Sequence, residues 1–172
     1  MRILRILSLF FCLVSCNSNT TKVESQNVAE TDVNANITIN EIANLDFVEF
    51  ILDDKVEKHI EGWEKYFELE RHVINVKQAD LSFFKNNNEI LVAFILDMQS
   101  TLPENVNSNS ILSRVTALET KMYKLESAIN LSNVHKEDLI LAIKEFLVSY
   151  SNLNFQINKK FEREAQNIQK PK

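Results

Sequence analysis

Residues 110–131 read SILSRVTALETKMYKLESAINL. Within this run Ile111, Val115, Leu118, Met122, Leu125 and Ile129 recur at alternating steps of four and three. That spacing lays one apolar stripe along an α-helix, and no Gly or Pro interrupts it. The same rhythm returns downstream in Leu139, Ile143, Phe146, Tyr150, Leu153 and Ile157, which predicts a second helix over 133–168. Ser132 or Asn133 is its expected N-cap, and Glu137 and Asp138 suit the positive end of its dipole. A connection this short makes the pair an antiparallel hairpin with coiled-coil-like packing.

Two earlier stretches carry weaker versions of the pattern. Leu45, Val48, Leu52, Val56, Ile60, Trp63 and Phe67 predict a helix over 38–74, with Asn40 as N-cap and Glu41 in its first turn. Gly62 lies inside it, either as a kink, as a point of close approach or as a tolerated glycine. Leu81, Phe84, Asn88, Leu91, Ile95, Met98 and Leu102 predict a helix over 78–101. Asn86-Asn87-Asn88 favours local turns, so that helix has an alternative start at Asn88, and Pro103 stops it. Four such helices give an all-α, up-down antiparallel four-helix bundle; the alternative is three helices, with the first or second broken. Ile37-Thr38-Ile39 alternates but is too short to pair alone as a strand.

Composition agrees with that class. The 172 residues are 45% hydrophobic and 25% charged, but hold one Gly and two Pro. Hairpin turns and phosphate-cradling loops need those residues, so a many-stranded sheet and a Gly-rich nucleotide loop are both disfavoured. The formal charge of −5 becomes −7 once Arg2 and Arg5 leave with a leader. An acidic domain argues against nucleic acid and against electrostatic adhesion to anionic lipid.

The leader is read from residues 1–15. Arg2 and Arg5 form a basic start, and residues 6–14 are apolar apart from Ser8 and Cys12. The stretch is shorter than the roughly 20 residues a membrane-spanning helix needs. It ends in Leu13-Val14-Ser15-Cys16, which resembles the lipobox of bacterial lipoproteins. The resemblance implies cleavage before Cys16 and lipid on that cysteine, with several acyl chains because one alone binds a membrane only marginally. Cys12 would leave with the leader, so no mature disulfide is expected. Asn17, in place of an Asp, implies the outer membrane over inner-membrane retention, and the lack of acids over 17–22 implies its periplasmic face over the cell surface. The expected organisation is a signal peptide over 1–15, a lipidated Cys16 with a disordered tether over 16–37, a helical domain over 38–168 and a tail over 169–172. A tether of that length has an r.m.s. reach of about 25 Å. Residues 110–125, with Ser151-Asn-Leu-Asn-Phe-Gln-Ile-Asn-Lys159, also resemble a group of small uncharacterised helical lipoproteins of Flavobacteria.

Chemistry is sparse. None of His59, His72 and His135 has Glu three residues before it, as di-metal bundles require. No zincin, haem-attachment or nucleophile-elbow motif occurs. Glu57, Glu61, Glu64, Glu68 and His72 fall on one face of the first predicted helix, as a candidate divalent-cation stripe or a solvated face laced with lysine. Phe47 and Phe50 lie beside the first seam and Phe83 adjoins the seam residue Phe84; these four are read as wide core arcs or as candidate partner-binding residues. The seams place no acid–base pair inward, so no enzyme and no cofactor is expected. The expected function is a membrane-anchored, non-enzymatic envelope lipoprotein with a protein-interaction or assembly role. The alternative is a periplasmic bundle that binds a small ligand or a divalent metal; a small helical chaperone or stress sensor is a third reading.

Overall fold

A computed structural model describes residues 36–166. Cys16, the leader, residues 17–35 and the end of the chain from 167 onward lie outside the described residues. The described part is all-helical, without a strand. Its elements are α1 (Ile39–Ala43), α2 (Asp54–Glu57), α3 (Glu64–Lys77), a 3-10 turn (Ser82–Phe84), α4 (Asn88–Ser100), α5 (Asn109–Asn130) and α6 (Lys136–Ala165). None of these helices is long and apolar enough to cross a membrane.

The α5–α6 hairpin is the largest helix contact, and it follows the sequence rhythm closely. Ile111, Val115, Leu118, Met122 and Leu125 of α5 are buried, as are Leu139, Ile143, Phe146, Tyr150, Leu153 and Ile157 of α6. At the end of α5 the seam shifts by one residue, with Ala128 buried and Ile129 only partly so. Ser108 caps α5 by accepting from the Ile111 N–H. The expected caps of α6, Ser132 and Asn133, lie before its start; His135 holds the N-cap position without a side-chain bond. The carboxylates of Glu137 and Asp138 in the first turn stabilise that end through the dipole.

The predicted first helix is not continuous. Thr38, rather than Asn40, caps α1, in a capping box with Glu41. Residues 45–53 then run without helix or turn, α2 makes one turn, and 58–62 form turns before α3 begins. Two local signals account for the breaks. Leu45, Phe47 and Leu52 pack against the core while Val48 and Ile51 are 70% and 75% exposed, so these apolar residues serve a non-helical strap as readily as a helical stripe. Asp53 accepts from the Lys55 N–H and starts a new helix at that point. Gly62 sits in the second turn with nothing within 4 Å of an added Cβ, so it is neither a kink inside a helix nor a close approach. The seam of α3 is Tyr66, Leu69, Val73 and Val76, which the predicted stripe missed.

The second predicted helix begins at Asn88, the later of its two expected starts. Before it, Ala79 and Asn86 adopt left-handed backbone at φ 60° and 55°. Ala79 closes α3: its N–H donates to Val76 and that of Asp80 to Asn75, the pattern of a Schellman stop. A Cβ at that position costs about 1 kcal/mol. Ala79→Gly is therefore expected to raise unfolding stability by up to about 1 kcal/mol, read by urea denaturation, whereas Leu125→Ala in the hairpin seam lowers it by about 2–5 kcal/mol.

Candidate functional site

The acidic stripe does not assemble. Glu57 ends α2, Glu61 lies in the following turn, and only Glu64, Glu68 and His72 share α3. Lys65 donates to Glu68 at 2.8 Å and lies 3.8 Å from Asp97 of α4. Among the described residues no three carboxylate, imidazole or thiol groups come together as metal ligands. His72 instead turns into an aromatic nest. Its ring stacks on Phe83 at 3.6 Å between centroids and meets the edge of Phe94 at 5.6 Å. Both ring nitrogens are buried without a hydrogen-bond partner, and Glu68 Oε1 stands 3.9 Å from Nε2.

The four phenylalanines are mostly spent inside the fold. Phe84 is fully buried against Phe146, and Phe83 packs on Phe84, Phe94 and His72. Phe47 packs on the core, and Phe50 lies 4.6 Å from Phe155 of α6. Phe47 also lines an open pocket of about 340 Å³ with Ile42, Leu45 and Leu147.

The sequence reading also missed buried polar groups. Tyr66 donates to Asn154 Oδ1 at 2.9 Å, and the Tyr150 hydroxyl lies 3.3 Å from both Tyr66 and Glu70 Oε1. Burial pushes both phenols above their ordinary range, so they stay protonated and offer no base. Tyr150 was visible as a seam residue, but nothing in its spacing showed that its hydroxyl would need a partner.

An open groove lies instead on the outer side of the α5–α6 hairpin, with a volume of about 280 Å³. Ala117, Leu141 and Val148 make its floor. Ser149, beneath them, returns its hydroxyl to the Phe146 carbonyl at 2.7 Å and presents no unmet polar atom. Arg114, Lys121 and Lys144 line the walls with Glu145. Glu145 takes both Lys124 at 2.8 Å and Lys121 at 3.2 Å, and these contacts, Lys124 foremost, hold its carboxyl below the usual range. Among the described residues Arg114 and Lys144 have no acidic partner within 4 Å. In an acidic chain this rim is locally basic, three cations beside one carboxylate, with Lys124 reaching Glu145 from beyond the lining. The steps of three and four from Arg114 through Ala117, Lys121 and Lys124 were legible in the sequence, but only apolar seams were followed there.

A larger cleft of about 860 Å³ opens where α2 and its following turn meet the end of α6. His59 stacks on Phe161 there at 4.3 Å, and Lys160 lies over the same ring at 4.9 Å. No protein-family model, curated protein or solved structure matches the chain.

Burial, opposed chiefly by Glu68, lowers the pKa of His72 below 6.5. Lys65 and Arg71 act with burial, while Asp80 acts with Glu68. The folded state therefore keeps the imidazole neutral where the unfolded chain already takes a proton. Stability from this group is complete above about pH 6.5 and falls as pH drops from there towards the depressed folded value. Denaturation midpoints measured from pH 7.5 to 5 are expected to fall in the wild type and to fall less in His72→Leu.

Proposed function

We propose that the chain is a lipid-anchored envelope protein whose helical domain binds another protein and catalyses no reaction. The lipobox around Cys16 supports the anchor, and Asn17 supports an outer-membrane address facing the periplasm. The four longer helices, α3 to α6, would form an antiparallel bundle behind the binding face. The observation that carries the interaction reading is the groove between α5 and α6, an apolar floor under a basic rim on an acidic chain. That chemistry fits an amphipathic helix with carboxylates flanking its apolar seam.

Two measurements test this reading. Cys16→Ala is expected to abolish incorporation of a clickable palmitate analogue and to move the protein from the membrane to the soluble fraction. Continued labelling and membrane retention would refute the anchor. For the groove, Leu141→p-benzoyl-phenylalanine is expected to cross-link in cells to a carboxylate-flanked helix of one envelope protein. Arg114→Glu with Lys144→Glu should lower that adduct between about fivefold and thirtyfold, since each rim charge contributes about 0.5–1 kcal/mol. Adducts to lipid alone, or adducts indifferent to the charge reversal, contradict the reading.

The cleft floored by His59 and Phe161 favours a second reading, in which the domain holds a small molecule. Its size falls in the range of small-ligand sites, about 300–1,000 Å³. Native mass spectrometry of protein drawn from its own envelope would then show a bound mass, and the bare apo mass would count against it.

A further inference from the structure

His72 sits in a nest that suits only its neutral form. Its side chain is 16% exposed, yet both ring nitrogens are buried and meet no hydrogen-bond partner. What reaches the surface is therefore carbon. The ring stacks on Phe83 with planes 20° apart, and Phe94 closes the nest edge-on. Phe83 in turn packs edge-on against Phe84 at 5.0 Å and Phe94 at 5.5 Å.

Protonation changes what the nest must supply. A neutral imidazole has one N–H donor, whereas the imidazolium has two and a charge. The Glu68 Oε1 atom, at 3.9 Å from Nε2, is beyond hydrogen-bond reach, and Glu68 Oε2 is held by Lys65. Lys65 and Arg71 of α3 oppose a positive ring, and Glu68 and Asp80 favour it. The 82–84 turn and α4 present only aromatic faces and edges to it, through Phe83 and Phe94, and Asp97 of α4 stands 3.8 Å from Lys65. Attraction of the cation to the Phe83 face is smaller than the cost of two unpaired donors on a buried charge. The charged ring must therefore turn towards solvent or Glu68, and a ring stacked at 3.6 Å displaces its neighbour as it turns.

Of those neighbours Phe83 yields most readily. Phe84 is fully buried, its carbonyl accepts from Asn130 Nδ2 at 2.9 Å, and the Asn86 N–H donates to Asn130 Oδ1 at 2.8 Å. Phe94 is 3% exposed within α4. Phe83 is only partly buried and lies on a three-residue turn. The pins at Phe84 and Asn86 confine the movement to its side chain.

We propose that His72 and Phe83 form an acid-operated switch: as pH falls the imidazolium leaves the nest, Phe83 turns out to solvent, and the domain gains an aromatic contact surface that it lacks at neutral pH while its helices stay folded. The switch goes beyond the loss of global stability expected at the same residue. It rests on neither the groove of α5 and α6 nor the cleft at Phe161.

The test uses the whole chain labelled with 4-fluorophenylalanine, the Phe83 resonance being assigned by its loss in Phe83→Leu. The fluorine shift between H2O and D2O reports exposure of that ring, and far-UV circular dichroism reports helix. From pH 7.5 to 4.5 the Phe83 isotope shift is expected to rise from its buried towards its fully exposed value while the helix signal is kept. Arg71→Gln should move this change to higher pH and Glu68→Gln to lower pH, because the two charges act on the ring with opposite sign. In His72→Phe the Phe83 ring should stay buried throughout. A wild-type Phe83 that stays buried to pH 4.5, that emerges only as the helix signal is lost, or that emerges alike in His72→Phe overturns the proposal. Should His72→Phe fail to fold, the two charge variants decide: shifts in one direction, or none, overturn it.

Discussion

The carboxamide of Asn154 sets the constraint from which much of the structure follows. A primary amide at 1% exposure, among apolar seams, is costly unless both of its ends are bonded. One end is met by Tyr66 from α3, the other by the backbone of Phe50 from the strap. Neither partner alone suffices. The position therefore ties α3, α6 and the strap into one arrangement, and it requires the strap to present a free carbonyl. A helical strap would turn that carbonyl into its own ladder.

From this follows the way α6 is divided around its axis. Its core side carries Leu139, Ile143, Phe146, Leu153 and Ile157, packed against α5 and the other helices. Its polar side, Ser151, Asn154 and Asn158, reads the strap. Between strap and α5 it leaves Leu141, Lys144 and Val148 towards solvent, where the basic groove forms. Thirty residues of helix thus serve packing, backbone recognition and an open surface at once. The buried tyrosine pair continues the polar side inward and ends at Glu70.

The helices of the hairpin were legible because their apolar steps are unbroken and their sequence holds no Gly or Pro. The late start of α4 was one of two readings, decided by the left-handed Asn86 within an Asn triplet. The strap was misread because Leu45, Val48 and Leu52 satisfy helical spacing, while Leu45, Phe47 and Leu52 are the residues that pack inward and Phe50 rests on Phe155. What separates the two lies about a hundred residues away, in side chains of α6 that bond the strap's backbone. Local pattern cannot register a partner so distant in sequence. The acidic stripe failed with the helix that was to carry it, since Glu57 and Glu61 stand before α3 begins. Phe84 stood on the predicted seam and is buried against Phe146 of α6, but from a 3-10 turn before α4 rather than from a helix. The cations at 114 and 121 share a helix face in the sequence, but the groove exists only once Lys144 and Glu145 of α6 stand beside them.

Side chains of α6, and not local propensity, hold the backbone of residues 48–53 out of a helix. Backbone chemical shifts of those residues by NMR test it most directly, in the wild type and in Ser151→Ala/Asn158→Ala. Extended-strand Cα shifts are expected in the wild type and should collapse towards coil or helical values in the variant, while α5 shifts stay in place. Helical shifts over 48–53 in the wild type, or extended shifts that persist without the two side chains, would contradict it.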